Sequence, residues 1–116
     1  RDGSCVRDYI HVSDIAKAHV IALSYLLERK NKSVNTIFNL GTGEGVSVKE
    51  AIDVFEKSTG INLKYSIGPR REGDVEAIYS DTTKSKNELG WETEKSLEEM
   101  MVSAWKWQQK LDSDVL

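Results

Sequence analysis

The run Pro69-Arg70-Arg71-Glu72-Gly73-Asp74 places two guanidinium groups and a carboxylate on a loop shaped by proline and glycine. Guanidinium forks match phosphate oxygens, and an aspartate accepts hydrogen bonds from sugar hydroxyls. A nucleoside diphosphate presents both groups, so the run fits an anionic ligand of that kind. A solvated turn, whose charges merely keep the loop in water, fits the same residues. Arg7-Asp8 is the second pair of interest, because it stands inside the apolar extended stretch from Val6 to Val12. Charges in such a place must open on a cleft or be paired to avoid a large desolvation cost. One reading is a structural Arg7-Asp8 ion pair; the other is a clamp in which Arg7 and the arginine loop hold one pyrophosphate from two sides.

The remaining groups offer less chemistry. Gly41-Thr42-Gly43-Glu44-Gly45 follows a strand-like run and precedes a helix, yet the third glycine of a dinucleotide fingerprint would fall at position 46, which is Val46. No Gly-Lys-Ser/Thr follows, so a P-loop is excluded. A structural turn is the stronger reading, and a phosphate cradle at the helix N-terminus the weaker. None of Tyr9, Tyr25, Tyr65 and Tyr79 has a lysine one helical turn later to lower its pKa for work as a base. His11 and His19 read as packed or capping residues, and Trp91, Trp105 and Trp107 as packing residues.

These groups need a scaffold, and 116 residues supply one domain or less, with a modest core. A net charge of −3 with interspersed signs excludes a broad basic surface and disfavours nucleic acid as a partner. Cys5 is alone, no Cys/His cluster has zinc-ligand spacing, and a reducing, cytoplasmic setting fits. The apolar stretches are interrupted by Lys17, His19 and Glu28, so no membrane span is expected. The start, Arg1-Asp2-Gly3-Ser4, has neither a Met nor a signal pattern and reads as the middle of a longer chain.

The elements follow from periodicity and caps. Ser13 or Asp14 should cap a helix running from Ile15 through Leu27 and ending at Glu28-Arg29-Lys30-Asn31; its broad apolar face predicts heavy burial. Thr36 to Leu40 reads as a strand. Ser47 with Glu50 makes a capping box for a second helix that Gly60 ends. Leu63 to Ile67 alternates like a strand, and Ala77-Ile78-Tyr79 is a short extended piece. Asp81 caps a brief helix stopped at Gly90, with Trp91 anchoring the stop. Ser96 and Glu99 box a last helix carrying Leu97, Met100, Met101, Ala104, Trp105 and Leu111. The tail from Asp112 should fray.

Taken together, Val6-Arg7-Asp8-Tyr9-Ile10-His11-Val12-Ser13-Asp14, Phe38-Asn39-Leu40-Gly41-Thr42-Gly43, Pro69-Arg70-Arg71-Glu72-Gly73-Asp74 and Glu88-Leu89-Gly90-Trp91 resemble, in order and spacing, the C-terminal part of the UDP-glucose 4-epimerases. These belong to the extended short-chain dehydrogenase/reductase superfamily. The resemblance implies an α/β fold: a substrate-binding lobe plus a strand and helices that complete a Rossmann domain. Residues 1–111 would be the UDP-sugar-binding portion and 112–116 a tail, with the N-terminal NAD-binding domain outside this sequence.

It further implies interconversion of UDP-glucose and UDP-galactose at sugar C4 with tightly held NAD. By motif position, Arg7 and Arg71 would hold the UDP phosphates and Asp74 the ribose hydroxyls. Ile78 falls beside the sugar, at a position linked to tolerance of N-acetylated substrates. The family's glycine fingerprint, Tyr-x-x-x-Lys and partnering Ser are absent, so the expectation is a fragment without catalytic residues, unable to hold NAD and inactive alone. An exposed apolar surface should remain where the Rossmann domain would pack, with homodimerisation or partial disorder as consequences. A related nucleotide-sugar epimerase or dehydratase, or a non-catalytic interaction module, are the other readings.

Overall fold

The structure, a computed structural model, describes residues 2–28 and 35–113. Its elements are β1 (Val6–Arg7), α1 (Val12–Leu27), β2 (Val46–Ser47), α2 (Val48–Thr59), a π-helical turn (Ser85–Leu89) and α3 (Leu97–Ser113). Helices dominate, and the α/β expectation reduces to mixed helices around a small sheet. In that sheet β1 pairs antiparallel with β2, Val6 opposite Ser47 and Arg7 opposite Val46. On its other side Val6 forms a parallel bridge to Ala77, its N–H donating to the Glu76 carbonyl at 2.9 Å and its carbonyl accepting from Ile78 N–H at 3.1 Å. Val6 is thus held from both sides and is buried.

Local signals fixed the helix ends. Ser47 Oγ accepts from Glu50 N–H at 3.0 Å while Glu50 Oε2 accepts from Ser47 N–H at 2.7 Å, completing the box on α2. Gly60 ends that helix at φ +74, a left-handed conformation that glycine adopts without a Cβ clash. Ser96 and Glu99 repeat the box on α3 at 2.8 and 3.1 Å. Gly90 stops the π-helical turn at φ +67, but Asp81 does not cap it: its N-cap is Lys84, with no side-chain capping bond, and Asp81 Oδ1 accepts from Thr83 N–H at 3.0 Å ahead of the turn. Trp91, 2% exposed, anchors the stop by donating from Nε1 to the Asp14 carbonyl at 2.9 Å. α2 and α3 pack together, Phe55 meeting Trp105 edge to face with centroids 5.8 Å apart.

Several expectations need correction. α1 is capped by His11, whose Nδ1 accepts from Ser13 N–H at 3.0 Å, and by neither Ser13 nor Asp14. Its burial is slight: only Asp14 and Ala18 are buried, while Val12, Val20, Leu23, Leu26 and Leu27 are more than half exposed. Its neighbours cover one narrow face. Thr36–Leu40 and Leu63–Ile67 join no ladder among the described residues, because no strand lies alongside to pair with them. Phe38 instead packs edge to face on Tyr25 beneath Lys84. His19 is exposed, bonding only the Ile15 carbonyl of its own helix, and Trp107 is exposed as well. α3 continues to Ser113, Gln108 donating to Asp112 Oδ1, beyond the point where fraying was expected. The expected end of α1 at Arg29-Lys30-Asn31, and Asp114, lie outside the described residues.

The radius of gyration is 17.3 Å. A compact chain of this length would have about 13 Å. The excess fits the thin core, whose buried apolar residues among those described are Val6, Ala18, Ala51 and Trp91.

Candidate functional site

Successive side chains of an extended segment point to opposite faces, so Arg7 and Asp8 diverge. They make no ion pair with each other. Arg7 Nη1 donates to the Val6 and Val75 carbonyls, both at 2.8 Å. Val75 directly follows the arginine loop, and the Glu76–Ile78 bonds to Val6 hold the end of that loop against β1. Arg7 therefore meets the loop across 68 residues of sequence. Inside the loop, Gly73 at φ +84 closes a turn in which Asp74 N–H donates to the Arg71 carbonyl at 3.3 Å. Arg71 Nε donates to Asp74 Oδ2 at 3.2 Å; the arginine side chain is 84% exposed and the aspartate 26%. An ion pair this open contributes little to stability. The Arg71 guanidinium therefore stands largely in solvent above the turn.

Ile78 N–H donates to the Val6 carbonyl on the other side of β1, and its side chain is exposed. Among the described residues no hydrogen bond or ion pair joins Arg7 or Ile78 to Arg71 or Asp74; what brings Arg7 to the end of the arginine loop is its bond to the Val75 carbonyl. Two clefts of about 350 and 390 Å³ lie elsewhere, one beside Asp81, Lys84 and Asn87 and one between Thr42 and the start of α3, and none of the four residues borders either.

The glycine loop has a different occupant. Asp8 Oδ1 accepts from Thr42 N–H at 2.9 Å and from Thr42 Oγ1 at 2.7 Å. Its Oδ2 accepts from Gly43 N–H and Ser80 N–H, both at 3.1 Å. Burial pushes the Asp8 carboxyl up, but the donors of Thr42, Ser80 and Gly43 outweigh it and hold the pKa below the usual carboxylate value. The glycines permit this approach: a Cβ on Gly41 would stand 2.3 Å from Asp8 Oδ2, and one on Gly45 2.5 Å from Val6 Cγ1. Thr42 and Gly43 N–H are filled by the protein's own anion, which favours the structural turn over the phosphate cradle.

Two acids escaped sequence reasoning. Asp8 was legible only as half of a charged pair, since its donors lie 34 to 72 residues away. Asp14, 1% exposed, accepts from Glu94 and Lys95 N–H, both at 3.1 Å, and so ties α1 to the approach to α3. A lone acid on the buried side of an apolar helix was the available signal, and it was read as a cap. The histidines have structural occupations: His11 Nε2 bonds Ser103 Oγ at 2.8 Å while Nδ1 serves the cap. Among the described residues no cluster of His, Cys, Asp and Glu could hold a metal, and no helix is long and apolar enough to cross a membrane. Arg7, Arg71 and Asp74 offer cationic donors and a carboxylate acceptor.

Comparison with known proteins supplies the context. A family model described as GDP-mannose 4,6 dehydratase matches residues 1–103. The UDP-glucose 4-epimerase of Bacillus subtilis (strain 168) is 46% identical over 108 residues, which are 93% of this chain and 31% of that enzyme. Among solved structures, the UDP-glucose-4-epimerase of Stenotrophomonas maltophila, with bound NAD and formylated UDP-arabinopyranose, superposes with a TM-score of 0.91 at 42% identity, covering 97% of this chain and 33% of that one. The Bifidobacterium longum enzyme, in complex with NAD+ and UDP, gives a TM-score of 0.85 at 44% identity over 96% of this chain and 32% of that one. The chain spans about a third of the length of the relatives it matches. It belongs to the GDP-mannose 4,6 dehydratase family and, over most of its own length, is UDP-glucose 4-epimerase-like.

Proposed function

We propose that this chain is the substrate-binding portion of an NAD-dependent epimerase that interconverts UDP-glucose and UDP-galactose. Arg7 and Arg71 grip the pyrophosphate, Asp74 accepts from the ribose hydroxyls, and Ile78 borders the sugar. The observation that carries this reading is the contact of the Arg7 guanidinium with the Val75 carbonyl, which sets one arginine beside the turn that holds Arg71 and Asp74. Relatives of like fold hold UDP in one case and a UDP-sugar in another.

NAD does not fit the residues present. The glycine run lacks the third glycine, and Asp8 occupies Thr42 and Gly43 N–H. No tyrosine here has the lysine partner that proton transfer at C4 needs. On this reading these residues bind and orient substrate, catalyse nothing alone, and rely on a nucleotide-binding portion such as the remaining length of the relatives. The exposed residues Val12, Ala16, Val20, Leu23 and Leu27 recur at helical spacing down one side of α1 and give that portion an apolar seat.

The test is UDP titrated calorimetrically into the full-length protein. Arg71→Ala removes a charge-assisted phosphate contact of about 1.5–3 kcal/mol and should weaken UDP by roughly 10- to 150-fold. Unchanged affinity would sink the clamp.

A further inference from the structure

We infer that Asp8 is the positioning residue of the substrate clamp, fixing where Arg7 points by anchoring the extended chain immediately after β1 on the face opposite to Arg7. The inference rests on the pyrophosphate reading of Arg7. Four donors from two separate loops converge on this one carboxylate: Thr42 N–H and Oγ1, Gly43 N–H and Ser80 N–H. Such a cluster of backbone N–H groups is the kind of concavity that binds phosphate in other folds. Here the anion is internal, and what it holds is geometry. Ser80 lies two positions beyond Ile78, and its hydroxyl also donates to the Leu40 carbonyl at 3.0 Å. The carboxylate thereby joins β1, the glycine loop and the segment that carries Ile78 into one unit.

The consequence for Arg7 follows from strand geometry. With Asp8 locked to one face, its neighbour is directed to the other, where Nη1 finds the Val75 carbonyl. Val6 stays held by β2 and Ala77, so releasing Asp8 loosens the chain at Arg7 and just beyond it, and a guanidinium misplaced by an ångström loses most of its value to a fixed phosphate. Gly41 belongs to the same device, because any side chain there would enter the space that Asp8 Oδ2 and Ser80 occupy.

UDP affinity in the full-length protein, measured for Asp8→Asn, Arg7→Ala and the double variant, tests the inference. Asn keeps the size of Asp but turns an N–H toward donors. If Asp8 acts through Arg7, Asp8→Asn weakens UDP by about 10- to 100-fold alone and by less than about twofold once Arg7 is Ala. A purely structural Asp8 would weaken UDP by the same factor in both backgrounds, and that result overturns the inference. Thr42→Val, which removes only the hydroxyl donor, provides a milder probe if Asp8→Asn does not fold. It should weaken UDP severalfold with Arg7 present and not at all without it, and Thr42→Ser should restore binding. A folded Thr42→Val with unchanged UDP affinity overturns the inference. Undiminished affinity in Arg7→Ala alone would instead overturn the pyrophosphate reading beneath it.

Discussion

Gly41→Ala isolates the physics of the glycine loop. Its Cβ would lie 2.3 Å from Asp8 Oδ2, 2.6 Å from Ser80 Oγ and 2.8 Å from Ser80 Cβ, all too close for the added atom to fit unless a neighbour moves. Neither neighbour is free to move. Asp8 holds its four donors, and Ser80 is tied by N–H to Asp8 and by hydroxyl to the Leu40 carbonyl. Relief therefore breaks at least one hydrogen bond to a carboxylate, about 1.5–3 kcal/mol, or strains the backbone by the 1–3 kcal/mol typical of overpacking. Asp8 is only half-buried, which favours the lower end, so the expected loss is roughly 1.5–2.5 kcal/mol. Urea unfolding followed by tryptophan fluorescence reads it, since Trp91 is 2% exposed in the fold. With a slope near 2 kcal/mol/M, the midpoint should fall by about 1 M. Gly68→Ala is the control: a Cβ there meets nothing within 4 Å, so the change should stay within about 1 kcal/mol of neutral. A Gly41→Ala midpoint indistinguishable from that of Gly68→Ala would refute the claim that Asp8 shapes the loop.

Four further outcomes are expected. The Asp8 carboxyl is held below its unfolded value of 3.8, so its contribution is present above that pH and lost as pH falls through the folded pKa. The gap in urea midpoint between wild type and Asp8→Asn should accordingly be constant from neutral pH down to about 5 and close below 3.8. Ser96→Ala should cost about 1 kcal/mol in the same assay, and Ser47→Ala more, because Ser47 is fully buried and its hydroxyl also donates to Asp2. Asp14→Ala strands the Glu94 and Lys95 N–H groups and should cost about 2–4 kcal/mol, with faster hydrogen exchange at both amides. In the full-length protein, Leu23→Asp should cost at least about 2 kcal/mol if the α1 stripe is covered, and under about 0.5 if it faces water.

What was legible in the sequence was local. The boxes at Ser47/Glu50 and Ser96/Glu99 need only residues three apart, and Gly60 and Gly90 need only their own φ, so each could be read without knowing the fold. The arginine loop and Arg7 were likewise visible as residue types. Their approach could be stated only as one of two readings of Arg7-Asp8, because it depends on the bridge between Val6 and Ala77, which no local pattern encodes. Thr36–Leu40 and Leu63–Ile67 failed for the complementary reason. Their strand propensity is real, but a ladder requires a partner, and none lies beside them among the described residues. The broad apolar face on α1 predicts heavy burial, yet among the described residues only Ala18 and Asp14 of that helix are buried, because a wide apolar stripe says nothing about whether the rest of this chain covers it.

The two charges of Arg7-Asp8 looked at first like candidates for each other, and their separation carries the functional argument. Paired, they would have cancelled and left the arginine loop as an exposed turn. Alternation of the extended backbone from Arg7 to Asp8 instead sends the carboxylate to the glycine loop, where four donors satisfy it, and the guanidinium to the Val75 carbonyl, which directly follows Asp74. Each charge thereby gains a separate task. The glycine loop, which has the look of a phosphate cradle, is closed to an outside anion because an inside one already fills it. Arg7 keeps donors beyond those it gives to the two carbonyls, and Arg71 reaches into solvent. On the proposed reading an external diphosphate is therefore met by the arginines and not by the glycines, in keeping with a glycine spacing that already fails the dinucleotide fingerprint at Val46.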